Sequence, residues 1–240
     1  MKSVKNIVIF STILVTSIGI YFYYTINKSS EQNLTTFKTA QQEFNQDQDT
    51  IKLERYKQQL EHYYTSGAYE QEVARVCKDA EHYFDKVPIR INSIIIFDVD
   101  DTAVYNYHRM DKFDFIWSKQ PQLVQRRAVE DAPAIKPVLE LYRFLRARGF
   151  EIIFLTSRNA GQYDETYQEL VKAGYTNFKE LILMPDKLAF DPTIKTADWK
   201  LQARKELARK YSIVGCVGDR DADFEGGYTG YRVKLPNYLY

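Results

Sequence analysis

Short runs of apolar, mostly β-branched residues recur along the chain from residue 94 onwards. Four of them are uninterrupted by polar residues: Ile94–Phe97, Ile152–Leu155, Leu181–Met184 and Ile213–Val217. Apolar runs of this length are typical of strands that are buried on both faces of a sheet. A shorter segment, Tyr231–Lys234, predicts one further strand.

Helical periodicity fills the intervals between these runs. Apolar residues recur every three or four positions at about 136–148, 163–173 and 198–210, so strands and helices alternate along the chain. This alternation predicts an α/β fold of the Rossmann-like type, with a parallel sheet and helices on both of its faces. In such folds ligands bind at the carboxyl ends of the strands.

A helical lead-in precedes the first strand. Residues 51–86 have helical spacing with one break at Ser66-Gly67, where we predict that two amphipathic helices join. The apolar face of the first comprises Leu53, Tyr56, Leu60 and Tyr64, and that of the second comprises Tyr69, Val73, Val76, Ala80 and Tyr83. We therefore divide this part of the chain into a lead-in at 51–90 and a main domain at 91–240.

The first 28 residues have the pattern of a signal anchor. Lys2 and Lys5 precede an apolar run from Ile7 to about Tyr24 that contains no charged residue. A membrane-spanning helix needs about 17–25 residues, whereas a signal-peptide core has about 7–15. Because no small-x-small cleavage site follows, we predict one uncleaved transmembrane helix. A cleaved signal peptide that releases a secreted protein is the alternative.

The two lysines also predict an orientation in the membrane. Under the positive-inside rule Lys2 and Lys5 stay in the cytoplasm, so everything after Lys28 is extracytoplasmic, either periplasmic or extracellular. Residues 29–50 are rich in Gln, Asn, Ser, Thr and Asp, a composition that predicts a polar linker. The domain at 91–240 is therefore expected on the outer side of the membrane.

Composition narrows the choice of partners. The formal net charge is +1 and 27% of residues are charged, so no global field favours a nucleic acid polymer. The only cysteines, Cys77 and Cys216, are predicted to be free and buried, since one pair is a weak signal for a disulfide framework. The sequence leaves homo-oligomer formation open.

Three carboxylates and a threonine follow the first predicted strand, in the segment Asp98-Val99-Asp100-Asp101-Thr102. Asp98 and Asp100 are two residues apart, so they leave the strand on the same side. Two such carboxylates permit a division of labour between a nucleophile and an acid for the leaving oxygen. Aspartates that cap a turn are the simpler explanation, and three of them within four positions weaken it.

Polar groups also follow two other predicted strands. Thr156, Ser157 and Arg158 come after the second strand, where a hydroxyl and backbone N–H groups can bind phosphate oxygens. Asp219 and Asp223 come after the fourth strand. With Asp98 and the carbonyl of Asp100 they supply the oxygen ligands that Mg²⁺ prefers, whereas zinc favours clustered His or Cys.

These residues and their order resemble the haloacid dehalogenase-like (HAD) superfamily, whose signature is Asp-x-Asp-x-Thr, a Thr or Ser, a Lys and paired aspartates. Within it the chain resembles subfamily IIIB: the class B and lipoprotein-type acid phosphatases and the plant vegetative storage proteins. The likeness runs from about Tyr56 to the C-terminus and includes the ending Lys234-Leu235-Pro236-Asn237. One departure is Ser157, where relatives often have glycine.

The resemblance implies a role for each matching residue. Asp98 is the expected nucleophile, Asp100 the acid and base, and Thr156 and Lys200 stabilise the transferring phosphoryl group. Substrate binding is expected from Thr102, Thr156, Ser157, Arg158 and Lys200. A Mg²⁺ cofactor is expected on Asp98, Asp100, Asp219 and Asp223, with Asp223 either a direct ligand or a residue behind one.

The lysine is chosen from three candidates, Lys187, Lys195 and Lys200. Lys200 resembles the family pattern best, because an aromatic residue, Trp199, precedes it and Arg204 follows four positions later. It also comes just before the last core strand. We therefore expect Lys200 near a helix start, directed at Asp98 and the phosphate.

The predicted function is a Mg²⁺-dependent acid phosphatase-like hydrolase that cleaves extracytoplasmic small-molecule phosphomonoesters, possible substrates being nucleotides, through an aspartyl-phosphate. The alternative is a non-catalytic storage-type relative, which differs mainly at catalytic positions. Phosphotransferase or phosphonate chemistry would share the site.

A small cap is expected at about 105–133, where aromatic residues either line a leaving-group pocket or only pack: Tyr105, Tyr107, Phe113, Phe115 and Trp117. His62, His82 and His108 receive no role.

Overall fold

The structure is a computed structural model that describes residues 50–107 and 132–239, together with Gln32, Asn33, Thr35, Thr36 and Lys38. The chain divides into two compact units between His62 and Tyr63. The predicted anchor at 1–28 and most of the predicted cap lie outside the described residues. Among the described residues no helix has both the length and the apolar character needed to cross a membrane.

Six of the 22 positions of the predicted linker at 29–50 are described, and all six are helical. Thr36 donates its hydroxyl hydrogen to the carbonyl oxygen of Gln32, one turn earlier, at 2.9 Å. The division of the chain at residues 28, 50 and 90 stays a prediction.

Two helices form the lead-in, as predicted. α1 covers Thr50–Thr65 and α2 covers Ala68–Asp85. Gly67 between them has a φ of +87°, a left-handed conformation that glycine adopts without a Cβ clash. The buried face of α2 is Tyr69, Val73, Cys77, Ala80 and Phe84. Val76 and Tyr83 were predicted on this face, but Tyr83 is 42% exposed because the face turns towards Cys77 and Phe84.

The strands and helices of the main domain alternate as predicted. Their order is β1 (Ser93–Phe97), α3 (Lys136–Arg148), β2 (Glu151–Asn159), α4 (Tyr163–Lys172), β3 (Glu180–Met184), α5 (Asp186–Ala189), α6 (Thr196–Ala208), β4 (Ser212–Gly218) and β5 (Tyr231–Lys234). Short 3-10 turns follow β2 and β4.

The five strands form one parallel sheet in the order β3-β2-β1-β4-β5. The chain builds outward from β1 through β2 to β3, and then crosses to the other side of β1 for β4 and β5. The strand order therefore reverses between β1 and β4. In parallel α/β sheets this is the point where the loops at the carboxyl ends separate and leave a crevice for a ligand.

Helices cover both faces of the sheet. One face carries a buried cluster that includes Ile94, Ile96 and Cys216 and receives Trp199 and Leu207 from α6. On the other face Phe97 packs against Tyr142 of α3, with ring centroids 6.0 Å apart. Because consecutive β1 residues point to opposite faces and all five are buried, the strand has the uninterrupted apolar sequence typical of a sandwiched parallel strand.

The helix ends follow the local sequence. Pro137 lies in the first turn of α3, where its missing N–H is not needed, and Gly149 ends the helix with a φ of +99°. The N–H groups of Gly149 and Phe150 donate to the carbonyl oxygens of Arg146 and Leu145. Cys77 and Cys216 are free and buried, as predicted.

Candidate active site

Asp98 is the first residue after β1 and remains attached to the sheet. Its N–H donates to the carbonyl oxygen of Val217 in β4 at 3.0 Å. The next residues turn sharply, since the N–H groups of Ala103 and Val104 both donate to the carbonyl oxygen of Val99. Asp98 is therefore fixed at the point where the strand order reverses, and only 6% of its surface is exposed.

Lys200 lies opposite Asp98. It is the fifth residue of α6 and is buried. Its Nζ is 2.8 Å from Asp98 Oδ1 and 2.5 Å from Asp223 Oδ1. The two other lysines considered from the sequence, Lys187 and Lys195, are exposed. Lys200 is thus the one of the three candidates that the structure brings to Asp98.

Asp219 and Asp223 follow β4 and face Asp98. Asp219 Oδ1 accepts a hydrogen bond from the Thr102 hydroxyl at 2.9 Å, and Asp219 Oδ2 accepts one from Asn237 Nδ2 at 2.6 Å. Asp223 lies close over Gly218, where an added Cβ would be 2.4 Å from Asp223 Oδ2. A glycine at the end of β4 is therefore required for Asp223 to approach the other carboxylates.

These three carboxylates fit a hard cation. Asp98, Asp219 and Asp223 are buried, and each places one oxygen within 4.8 Å of the others. Like charges at this separation repel strongly in a buried site, and Lys200 supplies one positive charge against three acids. The donors are all oxygens, which suits a divalent cation such as Mg²⁺. The backbone carbonyl of Asp100, two residues after Asp98, is a further candidate oxygen ligand.

Burial dominates the electrostatics of this cluster. It raises the pKa of Asp98 well above its usual value; Lys200 opposes the rise, and Asp223 and Asp219 add to it. Burial also raises the pKa of Asp219 to about 7, with contributions from Asp101 and Asp223. Burial lowers the pKa of Lys200, but Asp98 and Asp223 more than offset this, so that the net shift is upward. The ionised carboxylates therefore depend on positive charge nearby.

Asp100 points to a different set of partners. Its Oδ1 and Oδ2 accept hydrogen bonds from Arg158 Nη2 and Nε at 2.9 and 3.0 Å, and Asn106 Nδ2 donates to Oδ1 at 2.9 Å. Its carboxylate is not part of the three-carboxylate cluster. Asp101 adopts a φ of +54° in the turn and accepts the N–H of Asn106.

The predicted substrate-binding residues after β1 and in β2 have distinct placements. The prediction that Thr156, Ser157 and Arg158 follow the second strand is wrong, because β2 continues to Asn159 and contains them. Thr156 is buried, and its Oγ1 accepts the N–H of Arg158 at 3.2 Å. Ser157 is exposed. Thr102 is 0% exposed and directs its hydroxyl to Asp219, so its contact is with a carboxylate of the cluster. The guanidinium of Arg158 is directed to Asp100 and Glu169.

Several residues in contact with the site were not predicted. They are Asn106, which donates to Asp100, and Glu169, which pairs with Arg158. Lys234 and Asn237 hold Asp219 through its backbone oxygen and its carboxylate. The motif Lys234-Leu235-Pro236-Asn237 was noted only as a family likeness. Arg204, one turn after Lys200 and fully buried, donates to the carbonyl oxygens of Ala222, Glu225 and Gly227 and so secures the loop after Asp223.

Two of the cap aromatics lie in the described residues, and both pack against the lead-in. Tyr107 stacks on Tyr64 with ring centroids 4.9 Å apart, and Tyr105 stacks on Tyr69 at 5.4 Å. The Tyr105 hydroxyl also donates to the carbonyl oxygen of Tyr64. Phe113, Phe115 and Trp117 lie outside the described residues. For Tyr105 and Tyr107 these contacts support packing, and not the lining of a leaving-group pocket.

Comparison with known proteins gives consistent matches. Residues 23–240 match the family model for the HAD superfamily, subfamily IIIB (acid phosphatase). Acid phosphatase 1 of Solanum lycopersicum is 30% identical over 193 residues, which cover 75% of this chain and 72% of that protein. Vegetative storage protein 2 of Arabidopsis thaliana is 30% identical over 182 residues, which cover 73% and 67%. The stem 31 kDa glycoprotein of Glycine max is 28% identical and covers 89% of this chain and 85% of its own length.

The fold also matches a solved structure. The class C acid phosphatase from Bacillus anthracis superimposes with a TM-score of 0.59 and 18% identity, over 75% of this chain and 82% of that chain. At this identity the match supports the HAD-type α/β fold alone. Phosphatases of the HAD type generally use a divalent metal ion, for which the three buried aspartates are suited. The chain therefore belongs to the HAD superfamily, subfamily IIIB acid phosphatases, and is a phosphatase whose substrates are small-molecule phosphate esters.

Proposed function

We propose that this chain is a Mg²⁺-dependent phosphomonoester hydrolase that forms a covalent phosphate on Asp98. The observation that carries the proposal is the geometry at the end of β1. Asp98 Oδ1 lies 2.8 Å from Lys200 Nζ, and one carboxylate oxygen of Asp98 lies within 4.8 Å of one oxygen each of Asp219 and Asp223. A carboxylate is a competent nucleophile for phosphorus when positive charge offsets its repulsion by the phosphate.

The reaction has two steps. An oxygen of Asp98 attacks phosphorus, the bond from phosphorus to the leaving oxygen breaks, and Asp100 gives that oxygen a proton. Asp100 then takes a proton from water as its oxygen attacks the phosphorus of the aspartyl-phosphate. The bond to Asp98 breaks, which releases inorganic phosphate and restores the carboxylate. Lys200 and Thr156 stabilise the charge of the transferring group in both steps.

The metal is assigned to Asp98, Asp219 and Asp223, with the backbone carbonyl of Asp100. When bound, Mg²⁺ supplies positive charge that stabilises the phosphate oxygens. Thr102 and Asn237 each donate to one oxygen of Asp219, so they orient this ligand. Partners of this kind fix the geometry of ligating carboxylates.

The substrates are small phosphomonoesters outside the cytoplasm, with nucleotides as the first class to test. The location is supported by Lys2 and Lys5 before the uncharged run that ends at about Tyr24. Protease added to intact cells or spheroplasts should digest the domain. If the domain stays intact until the membrane is opened, the proposed location is wrong.

A storage role is the second candidate, because two of the relatives are named vegetative storage proteins. The contact of Asp98 with Lys200 favours catalysis, since a storage protein has no need for a buried nucleophile paired with a cation. Measurement of phosphate ester hydrolysis distinguishes the enzyme from a storage protein.

The test is release of phosphate by the full chain, purified in mild detergent. p-Nitrophenyl phosphate and a panel of nucleotides are assayed from acid to neutral pH, with Mg²⁺ and with chelator. We expect release that requires Mg²⁺ and that is absent in Asp98→Asn. A folded, Mg²⁺-loaded chain without turnover on the whole panel contradicts the proposal and favours the storage role.

A further inference from the structure

The carboxylate of Asp100 is held at two points by one planar group. Arg158 Nε and Nη2 donate to separate oxygens of Asp100 at 3.0 and 2.9 Å. A side-on guanidinium–carboxylate pair of this kind fixes the plane of the carboxylate as well as its distance. The orientation of Asp100 therefore depends on the orientation of Arg158.

The remaining nitrogen of the Arg158 guanidinium is directed away from Asp100, towards α4. Arg158 Nη1 lies 2.6 Å from Glu169 Oε2 and donates to Thr166 Oγ1 at 3.2 Å. Thr166 and Glu169 are one turn apart on α4, and both are buried. The guanidinium is thus fixed along both of its edges, by Asp100 on one side and by α4 on the other.

Glu169 is itself fixed by the backbone. Its Oε1 accepts the N–H of Ala132 at 3.0 Å, while Oε2 pairs with Arg158. Only 7% of its side chain is exposed, compared with 27% for Asp100. A buried carboxylate is costly to desolvate unless it is paired and hydrogen-bonded. Two carboxylates here share one guanidinium, and the more deeply buried one, Glu169, is not one of the three carboxylates of the cluster.

We infer that Glu169 is a positioning residue for proton transfer: acting through Arg158, it holds the carboxylate of Asp100 in the orientation that serves the leaving oxygen. The inference rests on the proposed function, in which Asp100 is the acid and base. It also assigns Arg158 a positioning role, since its donors are directed to Asp100, Thr166 and Glu169.

This role predicts a dependence on the leaving group. p-Nitrophenolate is a stable anion and departs without a proton, whereas an alkoxide leaves only when a proton is supplied. Leaving-group departure belongs to the first step, which kcat/KM reports, whereas the second step, in which Asp100 acts as base, is the same for both esters. Loss of orientation at Asp100 therefore lowers kcat/KM for the alkyl ester and largely spares kcat/KM for the aryl ester. A purely structural role for Glu169 would lower the amount of folded enzyme and so reduce both rates by the same factor.

The experiment compares ethyl phosphate with p-nitrophenyl phosphate, using the full chain with Mg²⁺. The variant is Glu169→Gln, which keeps the shape of the side chain and removes its charge. The matched control is Glu165→Gln, an exposed position one turn earlier on α4. We expect Glu169→Gln to lower kcat/KM for ethyl phosphate about tenfold, the order of magnitude lost when an outer partner that orients an acting group is removed. The loss of kcat/KM for p-nitrophenyl phosphate should be smaller than about twofold, since its leaving group needs no proton. Glu165→Gln leaves both rates unchanged.

An equal loss on both substrates, or no loss, overturns the inference. If Glu169→Gln does not fold, Thr166→Val removes the second acceptor of Arg158 Nη1 and should shift the ratio of the two rates in the same direction, by about two- to fivefold for one hydrogen bond. An unchanged ratio in folded Thr166→Val also overturns it.

Failure of the positioning role and failure of the proposed function give different experimental results. If Asp98→Asn is inactive and the ratio of rates does not move, the positioning role is wrong and the proposed function stands. If the wild-type chain releases no phosphate from either ester, or Asp98→Asn keeps its activity, the proposed function is wrong and the positioning role with it.

Discussion

Asp98 and Asp100 are two residues apart in the same turn, yet their surroundings differ in kind. Asp98 is almost fully buried and meets the ammonium of Lys200 together with two more carboxylates. Asp100 has 27% of its side chain exposed and meets the planar fork of Arg158 and the amide of Asn106. A compact ammonium supplies charge with little directional preference, whereas a guanidinium imposes a plane.

The difference teaches how two chemically identical side chains are suited to the different tasks that we propose for them. The surroundings of Asp98 concentrate charge, which a nucleophile facing a phosphate requires. Those of Asp100 fix direction, which a group that transfers a proton requires. If this division holds, substitutions around Asp98 should change turnover of every substrate and the response to metal, and those around Asp100 should change the dependence on the leaving group.

The largest expected effect separates the two aspartates directly. Asp98→Asn should lower kcat by more than about 10³-fold for all esters, since removing a nucleophile removes the covalent route. Asp100→Asn should lower kcat/KM, which reports the step that releases the leaving group, by about 10²–10⁴-fold for alkyl esters, with a smaller loss of kcat/KM for p-nitrophenyl phosphate. Steady-state kinetics on both esters measures this, with circular dichroism to verify folding. Equal losses in Asp100→Asn would contradict the division of tasks.

The next effect concerns the charge at Asp98. Lys200→Met leaves Asp98 and Asp223 buried without their cation, which should destabilise the metal-free chain by about 3–5 kcal/mol. Urea unfolding in the presence of chelator measures the loss. Lys195→Met, which removes an exposed lysine just before α6, is the matched control and should unfold like the wild type. Identical midpoints for the two variants would show that Lys200 does not offset the carboxylates.

Stabilisation by metal should depend on the carboxylates around Asp98 and not on the partners of the Asp100 side chain. At a Mg²⁺ concentration 100 times Kd the free energy of unfolding should rise by about 2.7 kcal/mol, because only the folded chain brings the three carboxylates together. Asp219→Asn should lose most of this increment, and Glu169→Gln should keep it. Urea unfolding with Mg²⁺ or with chelator tests both variants. If Glu169→Gln also lost the stabilisation by Mg²⁺, the surroundings of Asp98 and Asp100 would not be independent.

The smallest effect tests one hydrogen bond behind the metal site. Thr102→Val removes the donor to Asp219 Oδ1 while keeping the shape of the side chain, and should cost about 1 kcal/mol of stability. Thr102→Ser keeps the hydroxyl and should lose less. Urea unfolding distinguishes them. A valine variant as stable as the serine variant would mean that Thr102 contributes packing alone.

The sequence predicts the two regions unequally. The strands can be predicted because the sandwiched segments Ile94–Phe97 of β1 and Ile152–Leu155 of β2 are apolar without interruption, and the acidic residues Asp98 and Asp219 directly follow the ends of β1 and β4. Lys200 is assigned from family resemblance, since its hydrophobic and polar neighbours alone do not distinguish it from Lys187 or Lys195. What selects it is the tertiary placement of α6 against the end of β1.

Glu169 could not be assigned from the sequence for a similar reason. Glu169 lies on the buried face of α4, beside Leu170 and one turn after Thr166. The sequence marks it in one way only, as a charged residue at a position of the helix that should be buried. Its partner, Arg158, lies in β2, and hydrophobic periodicity does not predict which carboxylate pairs with which cation. The contacts of Asn237 with Asp219 are likewise set by the path of the chain after β5.

The long sequence separations within the site have a consequence for folding. Thr102 and Asp219 are 117 residues apart, and the hydrogen bond from the N–H of Tyr238 to the Tyr64 hydroxyl spans 174. Contacts of this kind form only after large loops have closed, which makes them slow and dependent on the rest of the sheet. A partly folded chain therefore has no assembled catalytic centre, and the return of hydrolysis during refolding reports completion of the whole domain.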